Sequence, residues 1–254
     1  MWDRLPALVG VLPPFLMLWY AERFERRVRE PHRDWRYRIL VAAGLACVPL
    51  AWAERAAALV IADAIEPERS LFEAFIVAAS IEETGKVLCL YALTRVTLGP
   101  RTRYGAFLYA LHAATGFAIV ENVLIMLDTP NLTVFTVRFV LRAYMASPMH
   151  LFAGGVVGYL WARRRFDSGA VGLSGGLACA IAIHGSYNAL LFGVERMPDG
   201  LPDVVILCAL GAMAVPLIGV LVLRLLAERL RSDDDRDGRP PRAASITPSP
   251  SGAQ

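Results

Sequence analysis

SLFEAFIVAASIEETGKVLCLYALT, residues 70–94, carries two adjacent glutamates and a lysine inside a run otherwise apolar enough to cross a bilayer. Crossing takes about 20 predominantly apolar residues of helix. Only helices and closed barrels satisfy their backbone in lipid, and this run lacks the period-two alternation of a barrel strand. A helix also places Glu82 and Glu83, four and three residues before Lys86, on one face beside its ammonium. The chain of 254 residues repeats the pattern: 56% is hydrophobic, 19% is charged, and the mean hydropathy is +0.46. Soluble domains run nearer half apolar and about a quarter charged.

Seven spans are predicted, at roughly 5–21, 38–62, 70–94, 104–127, 139–162, 170–193 and 203–227. Their connections alternate between arginine-rich and arginine-poor. Arg23, Arg26, Arg27, Arg29, Arg33 and Arg36 follow the first span; Arg95, Arg101 and Arg103 follow the third; Arg163, Arg164 and Arg165 follow the fifth; Arg229 and Arg231 follow the last. Cytoplasmic loops carry the basic excess. The expectation is an all-α polytopic transmembrane bundle with its N-terminus outside and its C-terminus cytoplasmic. The first apolar stretch has its positive charge after it and no small-residue cleavage pattern, so it reads as a retained span. Residues 1–231 form one membrane domain. Residues 232–254, rich in Pro, Ser, Asp and Arg, read as a disordered cytoplasmic tail. The arginines cluster in loops, which does not suit a nucleic-acid face. Cys47, Cys89, Cys179 and Cys208 all lie in apolar runs and read as small buried hydrophobes.

Charge at mid-bilayer costs about 2.5–3.5 kcal/mol per residue on insertion scales. The residues that bear it are few: Glu82, Glu83 and Lys86 in the third span; His112 and Glu121, with Asn122, in the fourth; His150 in the fifth; His184 and Asn188 in the sixth. At about 1.5 Å per residue, Glu82 lies about 18 Å from the outer end of its span, Glu121 about 10 Å, His150 about 15 Å and His184 about 14 Å. Four spans thus bring ionisable groups to similar depth, in the outer half of the membrane. His112, nine residues from Glu121, falls on the opposite face and reads as structural. Glu54 and Arg55 are read the same way, paired or near the outer interface. Gly154 and Gly158 suit close helix packing.

Two carboxylates beside one ammonium leave one without a countercharge, which suits a general base. A carboxylate could take a proton from water while His and Asn donate to the oxyanion formed at a carbonyl. The same groups could hold zinc, although H-E-x-x-H is absent. They are also the parts of proton-coupled transporters, so hydrolase and transporter both stand on this chemistry alone.

The motifs go further. Glu82-Glu83-Thr84-Gly85-Lys86 resembles the EExxK motif of PrsW-family intramembrane proteases. Gly116-Phe117-Ala118-Ile119-Val120-Glu121-Asn122 is similar to that family's GFAxxEN block. Met149-His150 through Gly154, with Gly158-Tyr159, resembles its third block, and His184-Gly185-Ser186-Tyr187-Asn188 its closing H-G-x-Y-[ND] block. Pro13-Pro14 and Glu30-Pro31 match its opening. The ordered set covers about residues 1–195.

The resemblance implies a multi-pass protease of the bacterial cell membrane. It is similar to the enzyme that makes the first extracytoplasmic cut in a membrane-anchored anti-sigma factor, and more distantly to CAAX- and bacteriocin-processing membrane proteases. It implies a single-pass membrane protein as substrate and partner. Glu82, Glu83 and His184 would be catalytic, completed by His150 and Glu121, with Lys86, Asn122 and Asn188 in support. The family is described both as glutamate-type, needing no cofactor, and as metal-dependent. In the second case zinc is the candidate, held by His150, His184 and Glu121.

Overall fold

The computed structural model describes residues 2–25, 34–96, 99–167, 171–196 and 201–238, and all regular structure among them is helical. Seven helices follow one another in these residues. α1 runs as a 3₁₀ helix over Trp2–Val11 and as an α-helix over Leu12–Glu22. α2 is Asp34–Val60. α3 comprises Glu68–Phe72, a π-helical turn over Glu73–Ala79, and Ser80–Arg95. α4 is Arg103–Leu127. α5 comprises Leu132–Leu141, a π-helical turn over Arg142–Ala146, and Ser147–Phe166. α6 is Gly172–Arg196 and α7 is Pro202–Asp237. Each helix overlaps one predicted span. The arginines at 26, 27, 29 and 33, the Glu30-Pro31 pair and the tail from 239 lie outside the described residues.

Four helices are long and apolar enough to cross a membrane: α2, α4, α6 and α7. α3 and α5 are long as well, but they carry Glu73, Glu82, Glu83 and Lys86, and Arg138 and Arg142. The exposed surface is aliphatic and aromatic, as on α7 at Leu207, Leu217, Leu221 and Leu225 and on α2 at Leu45 and Trp52. Patches of this extent mark a surface that meets lipid or protein. The protein is a membrane protein.

α4 is the central post. In its apolar window 61% is buried inside the protein, against 17–22% in the other three helices. It packs against α1, α2 and α5, with lighter contacts to α3 and α7, and α6 closes the ring between α3, α5 and α7. Lipid tails are as apolar as leucine, so the helices associate through close backbone approach. At Gly116 a Cβ would sit 1.9 Å from the carbonyl oxygen of Leu40, and at Gly154 one would sit 2.5 Å from the Cβ of Ala114. Thr102 and Asn131 cap α4 and α5, accepting from the backbone N–H of Gly105 and Val134 at 2.9 Å each.

The last helix departs from expectation. It continues past Arg231 to Asp237, through residues predicted to be disordered. Ion pairs hold it: Asp233 pairs with Arg163 at 3.0 Å, and Asp237 with Arg103 at 2.6 Å. The Asp234 carboxylate also accepts from the backbone N–H groups of Arg103 and Tyr104 at the start of α4. The cysteines are all free, but only Cys47 is buried; Cys179 is exposed on α6.

Candidate active site

Two of the three helices that bring the central charges, α3 and α5, are widened just before those charges. In α3 the π turn over Glu73–Ala79 precedes Glu82 and Glu83, and the Ser80 hydroxyl donates to the carbonyl of Phe75 at 2.7 Å. In α5 the π turn over Arg142–Ala146 precedes Pro148 and His150. A proline ring crowds the carbonyl four residues back, and a widened turn relieves that clash. An inserted residue also rotates the rest of its helix about the axis. These turns therefore set which way Glu82, Glu83 and His150 face.

Glu82, Glu83, His150 and His184 converge from three helices. One ligand atom from each lies within 4.8 Å of all the others, and all four residues are buried. His184 Nδ1 is 2.8 Å from Glu83 Oε1 and 3.9 Å from Glu82 Oε2. His150 Nδ1 is 4.0 Å from Glu82 Oε2. The two imidazoles meet edge to face, with ring centroids 5.0 Å apart. Lys86 Nζ sits in their midst: 2.7 Å from Glu83 Oε1, 3.3 Å from Glu82 Oε2 and 3.0 Å from His150 Nδ1. The face of Phe117 lies 4.3 Å from the same ammonium, a cation–π contact that stabilises a desolvated charge.

Behind His150 stands a polar relay. Glu121 Oε2 lies 2.7 Å from His150 Nε2 and accepts from Arg142 Nη2 at 2.5 Å. Arg142 Nε also donates to Asn122 Oδ1, and Asn122 Nδ2 donates to the Gly10 carbonyl at 2.9 Å and to Ser147 Oγ at 3.1 Å. A cavity of about 200 Å³ reaches this cluster. It is lined by Glu82, Glu121, His150, His184 and Asn188, by the charged Arg138, Arg142 and Glu195, and by apolar side chains such as Ile125, Leu141, Met145 and Leu191. It lies toward the end of the bundle where α3 and α5 begin and α4 and α6 end.

A family model described as PrsW family intramembrane metalloprotease matches residues 31–223. The chain belongs to the PrsW family. It is therefore a membrane peptidase. No curated protein and no solved structure was found to match it.

The PrsW motif residues named from sequence fall into two groups in space. Glu82, Glu83, Lys86, His150 and His184 meet directly. Glu121 stands outside the group of four close ligand atoms and reaches the far nitrogen of His150 instead. Asn122 is locked into the frame, while Asn188 lines the cavity. His112 makes its contacts away from this cluster. It is fully buried, with Nδ1 2.7 Å from the Leu108 carbonyl and Nε2 3.2 Å from Glu22. Glu54 and Arg55 form no ion pair with each other among the described residues. Arg55 is exposed, and the Oε1 of Glu54 is buried with no hydrogen-bond partner.

In the sequence Arg142 stands among the charges at the start of a span, which hides its contact with Glu121 and Asn122. The signal available is its spacing of eight residues before His150, close to two helical turns. Groups that orient a site histidine typically contribute 10–100-fold to affinity or activity. Arg142→Ala is expected to lower proteolysis about 10–100-fold, mainly in kcat, while the protein still inserts. Unchanged turnover would show that Glu121 needs no partner to hold His150.

Proposed function

We propose that the chain hydrolyses a peptide bond in a single-pass membrane protein, near the extracytoplasmic face of the bacterial plasma membrane. An anti-sigma factor is one such substrate. The observation that carries this reading is the convergence of Glu82, Glu83, His150 and His184 beside a cavity that Glu82, His150 and His184 line together with apolar side chains. We further propose that all seven helices span, with the N-terminus outside. The alternation of arginine-rich and arginine-poor connections supports that orientation, and it puts the cavity end of the bundle on the outer side.

Water is to be activated between the carboxylates and the histidines. Glu83 accepts hydrogen bonds from Lys86 and His184, so its charge is held in place. Glu82 lies 3.3 Å from the same ammonium and lines the cavity, where it can take the proton of an attacking water. Asn188, one helical turn after His184 and on the cavity wall, is placed to donate its amide to the developing oxyanion. The apolar side chains of the cavity, Ile125, Leu141, Met145 and Leu191, take substrate side chains.

The donor set fits a divalent ion. Two imidazole nitrogens and two carboxylate oxygens are the ligands zinc takes in a four-coordinate site, and the Glu121 carboxylate behind His150 is the usual partner that orients a ligating histidine. Three of Glu82, Glu83, His150 and His184 would hold it, leaving one position for water, and it would supply Lewis acidity and a water acidified to near neutral pH. Proteolysis of a candidate single-pass substrate in liposomes is expected to stop on chelation and return with zinc. Undiminished cleavage after exhaustive chelation would leave the carboxylates alone as the reading. A proton-driven flux with no proteolysis would move the chain to the transporters.

A further inference from the structure

We propose that Lys86 is a built-in competitor for the metal: its ammonium and a metal ion hold the same donor atoms in turn. The inference rests on the metal-dependent reading of the site and adds what governs its loading.

The argument begins at one atom. Glu121 Oε2 lies 2.7 Å from His150 Nε2 and also takes a hydrogen bond from Arg142, so that carboxylate is an acceptor and Nε2 carries the proton. An imidazole with Nε2 protonated has a single lone pair, in its plane at Nδ1. Lys86 Nζ lies 3.0 Å from that Nδ1, and an ammonium has only donors. The one lone pair through which His150 can face the cluster is therefore occupied by Lys86. A metal cannot share it.

The carboxylates repeat the conflict. The ammonium is also 2.7 Å from Glu83 Oε1 and 3.3 Å from Glu82 Oε2. Three of the four donors that close on one point already surround a cation. A divalent ion bonded at about 2.0–2.2 Å to these atoms would face a buried like charge in a place with little water to screen it. The ammonium has to leave for the ion to enter, and His184, whose Nδ1 donates to Glu83 Oε1, has to carry its proton on Nε2 instead. One acceptor lies along the same stretch of the bundle: the buried, unpartnered Oε1 of Glu54 on α2. Leu50, one turn before Glu54, packs on Gly85 beside Lys86, so α2 holds Glu54 along the same stretch of α3.

The chain has a single lysine, so its movement can be followed in the unmodified protein. Tag-free protein in detergent, labelled with [ε-¹³C]lysine, gives one side-chain signal. Zinc added to one equivalent is expected to shift that signal as it binds. Zinc bound with the lysine signal unmoved overturns the proposal. Lys86→Met keeps the length and removes the charge. It is expected to bind zinc, and cobalt read by its visible absorption, at least tenfold more tightly than wild type; equal or weaker binding by a folded Lys86→Met overturns the proposal too. Glu54→Gln is expected to weaken zinc binding in the wild-type background more than in the Lys86→Met background; equal loss in both removes Glu54 as the acceptor. Cleavage of a membrane substrate, measured on the same preparations, separates the two readings. A wild type that cleaves while its lysine stays fixed keeps the protease and loses the competitor. A wild type whose lysine moves with zinc, but which cleaves nothing offered, keeps the competitor and loses the protease.

Discussion

Glu83→Gln is expected to lower proteolysis by about 10³-fold, the upper end of what losing one preorganised electrostatic group costs, and to leave the bundle folded. Glu83 is buried, and its Oε1 lies 2.7 Å from Lys86 Nζ and 2.8 Å from His184 Nδ1. The amide has the same shape but no charge, and it has one acceptor oxygen in place of two. Losing one member of a buried ion pair is ordinarily costly because the other is left uncompensated. Here Glu82, 3.3 Å from the same ammonium, remains as partner, so the cost falls on chemistry more than on stability. Cleavage of a reconstituted substrate reads the first effect; helicity and elution volume in detergent read the second. A variant that cleaves at wild-type rate would remove Glu83 from the catalytic group. His184→Ala, which strips the donor from the other side of Glu83, is expected to behave alike.

Gly116→Ala should fail by a different route, losing the fold. The added Cβ would lie 1.9 Å from the Leu40 carbonyl oxygen, 2.7 Å from its carbonyl carbon and 2.9 Å from its Cα. All three are helical backbone, so nothing can swing aside, and α2 has to move off α4. Overpacking of this kind costs typically about 1–3 kcal/mol, occasionally more; the upper end, about 3 kcal/mol, is expected here. The shift also moves Phe117, the next residue, from beneath Lys86. Gly44→Ala, on the facing helix, is the control. Its Cβ would meet the Gly116 carbonyl oxygen at 3.0 Å and Val120 Cγ2 at 3.1 Å, a tight contact that small shifts can relieve. Denaturation in mixed detergent should rank wild type, Gly44→Ala and Gly116→Ala in falling order. A Gly116→Ala midpoint equal to wild type would show that the two backbones are not locked there.

The helices themselves could be read from the chain because apolar length and charge placement act within one segment. Every predicted span lies on a helix, and the Glu82, Glu83 and Lys86 face needed only the three- and four-residue spacing of a helix. The end of α7 could not be read that way. Ser232 to Asp237 is as polar as a disordered tail, and its helix depends on arginines 163 and 103, far away in sequence. The π turns in α3 and α5 left no mark in the apolar pattern, yet they turn Glu82, Glu83 and His150 toward one another.

The buried cluster of Glu and His shows the same division. Residues too polar for their helices are marked in the chain itself: Glu82, Glu83, Glu121, His150 and His184 stand out because burial in lipid is costly for each of them singly. Which of them meet is a matter of tertiary contact. Arg142 draws the Glu121 carboxylate to the far side of His150, so the four close donors are Glu82, Glu83, His150 and His184. That outcome depends on where α4 and α5 touch and how a widened turn rotates one of them. Such contacts between helices have no periodicity along the chain, and so no trace in it to read.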